Sequence, residues 1–252
     1  MEIPDGGTSV KTCLLSVTML LLVSTSQASL IVNGSFDTFI IAGTDEDFGG
    51  FIRYFSPPAN TDLTGWTISG TASDGAPNNV DLVHTFFYPS FTGSSGSQSL
   101  DMEGAVGASG LIFQSFATTP GDLYNLSFEY ANNPQPGPTS SGSMNVLVTG
   151  SMTLLDQNVT HTGSTFSNMN YQLFSQNFTA DSTTTTLQFE ALTHSGFGIA
   201  LDAVSVNPAT TAVPEPALMG PLGAGLVALL FAARCRRHKP QQGRMARYAR
   251  AL

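Results

Sequence analysis

The stretch QSLDME (98–103) holds two acids two positions apart. On a strand, Asp101 and Glu103 share one face with their backbones roughly 6.5–7 Å apart. That spacing is compatible with the acid and base of an inverting glycosidase. The plainer expectation is a solvated strand face, because Leu100 and Met102 take the other side. His84, His161 and His194 show no HxxH or HExxH spacing, and the chain has no GxSxG elbow. Each of these histidines is expected on a loop or at the surface. GAVGASG (104–110) is glycine-rich but lacks a lysine for a phosphate and leads into a strand, which makes it a turn. TDEDFGG (44–50) gathers three acids without the bidentate glutamate of a calcium loop. No residue stands out as catalytic, and the expectation is a protein that is not an enzyme.

Sugar recognition needs aromatic faces beside amides and carboxylates. HTFFYPSF (84–91) clusters Phe86, Phe87, Tyr88 and Phe91 around Pro89, and these four rings are the candidate glycan platform. The polar linker NNPQPGPTSSGS (132–143) is expected to flank it. Trp66, in GWTIS, is expected in the core instead.

These residues need a scaffold, and the periodicity predicts strands. Short β-rich runs occur at 30–36, 65–69, 80–85, 98–103, 111–117, 123–131, 143–150, 151–159, 171–180, 184–192 and 199–206. In YNLSFEYA, Leu126, Phe128 and Tyr130 fall on one face while Ser127 and Glu129 fall on the other. Glycine, proline, asparagine and serine clusters separate the runs, and loops are expected at 42–50, 70–79, 89–97 and 132–142. No stretch has a capped helical period. The fold class is all-β: a jelly-roll-like antiparallel sandwich over residues 29–208.

Charge divides the chain. Between Ser29 and Val213 there are fifteen acids and one base, Arg53. Such a body repels phosphate, so nucleic acid is not an expected partner. The tail, 234–252, carries seven bases and no acid. The body has no cysteine, so neither a disulfide framework nor a zinc cluster can be built there.

Both ends read as addresses. CLLSVTMLLLV (13–23), preceded by Lys11 and followed by Ser26 and Ala28, predicts a signal peptide over 1–28 for signal peptidase. ALMGPLGAGLVALLFAA (217–233) makes about 25 Å of helix, at the short end for a transmembrane span. The basic stretch after it predicts a cytoplasmic tail. A linker, 209–216, joins the span to the body.

Val213, Pro214, Glu215 and Pro216, the apolar span, and then Arg234, Arg236 and Arg237 together resemble a PEP-CTERM sorting signal. In that family an exosortase, a membrane protease-transpeptidase, reads the segment. The resemblance implies transient inner-membrane insertion, processing near the motif, and display or release at the surface of a Gram-negative-type bacterium. Such signals accompany exopolysaccharide and biofilm systems. The tail past Lys239 is longer than the family usually has.

The body has its own likeness. LIVNGSFD, GWTISG, VDLV, GSQSLDMEG, IFQSFATTPGDLYNLSFEYANNP and GIALDAVSV, in that order, resemble the bacterial choice-of-anchor C family. Its fold resembles the galactose-binding-like sandwich of many carbohydrate-binding modules. That resemblance implies a structural Ca²⁺ held by Asp37, after NGSF, and Asp202, in the terminal D-x-V. It also implies binding of extracellular polysaccharide without catalysis. The alternatives are a structural matrix protein with no specific ligand and, further off, a glycoside hydrolase.

Overall fold

The computed structural model of the protein describes residues 28–56, 58–69, 75, 78–84, 91, 93–137 and 140–209. The expected transmembrane helix, its flanking 213–216 motif and the 234–252 tail lie outside these residues. So do the first 27 residues of the expected signal peptide, and Phe86, Phe87 and Tyr88. Among the described residues no helix is long and apolar enough to cross a membrane.

Two antiparallel sheets pack face to face. The strands are β1 (Glu46–Asp47), β2 (Phe51–Ser56), β3 (Thr67–Ile68), β4 (Asn78–His84), β5 (Gln98–Asp101) and β6 (Leu111–Ala117). They continue with β7 (Leu123–Asn132), β8 (Ser141–Thr149), β9 (Thr153–Thr162), β10 (Gln172–Thr179), β11 (Thr184–Ala191) and β12 (Ile199–Pro208). The larger sheet runs β1-β2-β4-β5-β12-β7-β10 and the smaller β3-β6-β11-β8-β9. The all-β antiparallel sandwich anticipated from the periodicity is therefore the observed class.

Alternation builds the core. Tyr124, Leu126 and Phe128 of β7 and Met144, Val146 and Val148 of β8 point between the sheets. Trp66 is buried, as expected, 5.7 Å from the Phe36 ring and 6.1 Å from Phe189. Phe128 stacks on Phe174 at 4.5 Å and meets Phe189 edge-on at 5.1 Å, geometries that aromatic quadrupoles favour.

Three local findings depart from the sequence reading. LIVNGSF (30–36) is a turn, with Asn33 and Phe36 at φ 56° and 58°. It still lies along β12: Leu30 N donates to Val206 O at 2.8 Å and Val204 N to Gly34 O at 2.9 Å. A Cβ at Gly34 would overlap the Val204 carbonyl oxygen, so the approach requires glycine there. Second, the segment 38–64, where no strand is expected from the sequence, supplies β1 and β2, and β2 pairs along its whole length with β4. Third, β12 bulges between Asp202 and Ser205, with Ala203 at φ 53°. The extra residue lets Leu201 and Val204 both face the core while Asp202 points out.

Candidate functional site

The outer face of the larger sheet is not a plain solvated surface. Ile52 and Tyr54, Val80 and Leu82, Leu100, and Leu201 face the core, so the residues between them face outward. The register places Arg53 opposite Asp81, Asp81 opposite Asp101, and Asp101 opposite Ala200. One row across β2, β4, β5 and β12 thus reads base, acid, acid, alanine.

Arg53 holds Asp81 with a two-pronged ion pair, Nε donating to Oδ1 at 2.8 Å and Nη2 to Oδ2 at 2.7 Å. The planar fork suits a carboxylate better than a lysine would. Burial nevertheless pushes the Asp81 carboxyl up to about 7, with Arg53 pulling the other way. Asp101 is buried and has no cation of its own. Its Oδ1 accepts from the Glu103 and Gly198 backbone N–H groups, each at 3.0 Å, and its Oδ2 from Asn133 Nδ2 at 2.6 Å. Burial pushes Asp101 up to about 8; the Asn133 amide opposes this, the Asp81 charge adds to it, and the two backbone donors oppose it.

These groups line a pocket of about 130 Å³. Phe51, Val83, Phe91 and Phe197 give it apolar walls; Arg53, Asp81, Asp101, Asn133, Gln135 and Gly196 supply the polar atoms. Two loops roof it. Asn133 anchors the first through Asp101 and through its own Oδ1, which accepts from Gln135 N at 2.9 Å. Glu103 anchors the second: its carboxylate accepts from Thr193 Oγ1, from Ser195 N at 2.7 Å and from Gly196 N at 3.2 Å. At the rim the exposed Phe48 stacks on Phe51 at 4.7 Å, and the Arg53 guanidinium lies 5.4 and 5.6 Å from those two ring centres.

Asp101 and Glu103 are both buried, at 2% and 0% exposure, which corrects the expected solvated face: the roofing loops cover it. Only Asp101 meets the pocket, while Glu103 is enclosed by the 193–196 backbone. Phe91, expected among exposed platform rings, is 1% exposed and packs with Val83, Ala131, Met169 and Ala200 at the pocket wall. His161, expected at the surface, is buried and joins Asn132 to the Asn170 carbonyl, a structural role. The 44–50 acids form β1 and a turn, with Asp45 accepting from Asn60 Nδ2 at 2.8 Å. Arg53, Asp81, Asn133 and Phe197 were not singled out from sequence as site residues. One signal did point to Arg53: it is the only base in an otherwise acidic body.

Asp37 and Asp202 meet the same loop, 93–97. Ser97 N donates to Asp37 Oδ1 at 2.8 Å, Gly93 N to Asp202 Oδ2 at 2.8 Å, and Ser94 N to Glu129 Oε2 at 2.7 Å. Asp202 Oδ1 also accepts from Ala203 N at 2.6 Å. Gly96, at φ +69°, lies so close to Asp37 that a Cβ would overlap the carboxylate. Burial pushes Asp202 up to about 7, against the lowering by these amides. Among the described residues no group of three or more His, Cys, Asp or Glu is set to hold a metal ion.

Chemically, the pocket offers hydrogen-bonding groups of both polarities between aromatic faces. Several known proteins are similar to this chain. Halomucin of Haloquadratum walsbyi is 31% identical over 210 residues, covering 80% of this chain, yet the chain spans only 2% of halomucin's length. TmCBM61 in complex with β-1,4-galactotriose shares 11% identity over 73% of this chain and 100% of that one, at a TM-score of 0.43. A family 35 carbohydrate binding module from Clostridium thermocellum shares 14% over 63% and 92%, at 0.36. At such identities and scores these structures bear on neither the ligand nor the chemistry of this chain. The family model described as "Protein of unknown function (DUF642)" matches residues 29–207, the entire sandwich, and the chain belongs to that family.

Proposed function

We propose that the protein is an exported, non-catalytic carbohydrate-binding protein, sorted by an exosortase to the cell surface or extracellular matrix, where it holds polysaccharide. The sandwich, on this reading, is of the galactose-binding-like kind. The observation that carries the reading is the outer-face pocket. Sugars present apolar C–H faces and fans of hydroxyls, and here Phe51, Phe197 and the exposed Phe48 adjoin Arg53, Asp81, Asn133 and Gln135. The volume falls below the ~300–1,000 Å³ of clefts for drug-sized ligands, so the pocket takes one ring at a time. Glu103 is walled in by protein, which removes the Asp101–Glu103 pair from any hydrolytic arrangement around a substrate. Isothermal titration of the full-length protein against a panel of oligosaccharides tests this: saturable binding without cleavage supports it, and no binding at millimolar sugar sinks it.

Export and sorting rest on the terminal segments. Epitope tags at the two ends, followed through fractionation, should show the N-terminal tag removed and the C-terminal tag retained at the inner membrane. Both tags together in the cytosol on an uncut chain would defeat the proposal.

A structural Ca²⁺ at Asp37 and Asp202 is part of the same reading. In its support, Asp37, Glu129 and Asp202 converge on one loop, while the body's only base is engaged by Asp81. A hard cation there would add oxygen coordination and cross-link distant parts of the chain. A calcium-dependent rise in melting temperature, absent in Asp202→Ala, is expected; an unchanged melting curve in EDTA would reject the ion.

A further inference from the structure

The row across the larger sheet leaves one charge unanswered. Arg53 and Asp81 satisfy each other, and the next acid, Asp101, has no base beside it. The body has no second lysine or arginine to supply one. Among the described residues every hydrogen-bond partner of Asp101 is an N–H: two from the backbone and one from Asn133. The Asn133 amide cannot be turned around, because its oxygen is held by the Gln135 N–H at 2.9 Å. The surroundings of Asp101 are therefore furnished for a carboxylate and lack only the opposite charge. In its absence, burial keeps the proton on.

The walls of the pocket suit a cation as well. Arg53 already lies over Phe48 and Phe51, and Phe51 and Phe197 line the cavity with Asp101. A positively charged group is drawn to such ring faces, more strongly when water is excluded. The acidic body repels anionic polymers and favours cationic ones over long range. The cavity has room for about four waters' share of liquid volume, which fits a single ring or its substituent.

Resting on the carbohydrate reading above, we propose that the pocket selects a sugar residue bearing a free ammonium group, received by Asp101 between the aromatic walls. The amine distinguishes this ligand from N-acetylated, neutral and uronic acid residues, which share its ring but not its charge. Entry of the ammonium favours the ionised form of Asp101, so a proton leaves the protein on binding near neutral pH.

The test is isothermal titration of the full-length protein with three probes: a glucosamine oligosaccharide with free amines, the same oligosaccharide after N-acetylation, and a uronic acid oligomer of equal length. The free-amine probe should bind roughly tenfold or more tighter than its acetylated twin, and the uronic acid oligomer most weakly. Asp101→Asn should erase the difference between the first two probes. That substitution sets an amide against the Asn133 amide, so its folding is checked by circular dichroism. On the unaltered protein, the acetylated twin and the uronic acid oligomer together vary the charge from positive through neutral to negative without any variant. Equal or tighter binding of the acetylated probe overturns the inference and leaves carbohydrate binding standing, as does a folded Asp101→Asn protein that keeps the preference. Binding of none of the three overturns the inference, and failure across the wider oligosaccharide panel removes the reading beneath it.

Discussion

Asp101 and Asp202 project from the same sheet face on neighbouring strands, β5 and β12, and both are buried. Their surroundings differ. Asp202, with Asp37 and Glu129, points at the backbone of the 93–97 loop, and one peptide N–H of that loop donates to each carboxylate. Asp101 also receives N–H groups, but it borders a cavity and sits next to a second acid. A buried carboxylate that protein amides enclose holds a loop in place. A buried carboxylate left facing an open pocket, with an unmatched charge, is placed for something that arrives from outside. That difference separates a clasp from a binding site within one acidic surface.

The comparison breaks most readily at the ion pair. Arg53→Met should destabilise the fold by about 3 kcal/mol, because it strands the Asp81 charge in a largely buried position. Chemical denaturation at pH 7.5 measures this, and the loss should shrink at pH 5, where Asp81 takes a proton. A variant as stable as the parent would mean that the row does not bury a real charge. Asp202→Ala should cost about 2 kcal/mol by leaving the Gly93 and Ala203 N–H groups without partners. Sugar affinity should stay unchanged in that variant, since the clasp is not the site; a parallel loss of affinity would merge the two regions.

Acidity sharpens the contrast over the whole face. Asp81 and Asp202 are pushed up to about 7 and Asp101 to about 8, above the ordinary carboxylate value near 3.8 that the unfolded chain has. The folded state therefore binds protons more tightly than the unfolded one. The resulting stability is fully present below about pH 4 and is lost as pH rises through 7 to 8. Calorimetry should show the melting temperature falling between pH 5 and pH 9, and a rise over that interval would contradict the burial argument. The smallest stability effect is at the rim. Phe48 is 50% exposed, so Phe48→Ala should change stability by only about 0.5 kcal/mol. It should weaken sugar binding several-fold, through the lost ring face.

Much of the architecture was legible. Alternation in LYNLSFEYA, SMNVLVTG and TTTLQFEAL marks β7, β8 and β11 within a residue or two, because one face of each packs on the opposite sheet. FIRYFS alternates too, yet it directly follows the glycine- and acid-rich stretch 42–50 that reads as loop, so β2 and the placement of Arg53 were not evident. The site was less legible for a physical reason. A period of two tells which residues leave the core, not whether a loop folds over them afterwards. Asp101 and Glu103 point outward as the pattern demands, and the 133–137 and 193–198 segments then cover them. Those contacts span 32 to 97 residues of sequence, and no local pattern encodes them. Phe91 illustrates the same limit: an aromatic of the HTFFYPSF cluster, expected on a binding platform, is packed against Tyr171, whose hydroxyl reaches its carbonyl.

The claim that the outer-face pocket is where carbohydrate binds is tested most directly by two-dimensional ¹⁵N NMR of the full-length protein, titrated with a bound oligosaccharide. Binding there predicts saturable shifts of the Arg53 Nε–H, the Asn133 and Gln135 side-chain amides, and the Gly196 and Phe197 backbone amides. Shifts confined to the outer face of the smaller sheet, around Ser143 and Thr160 of β8 and β9, would contradict it.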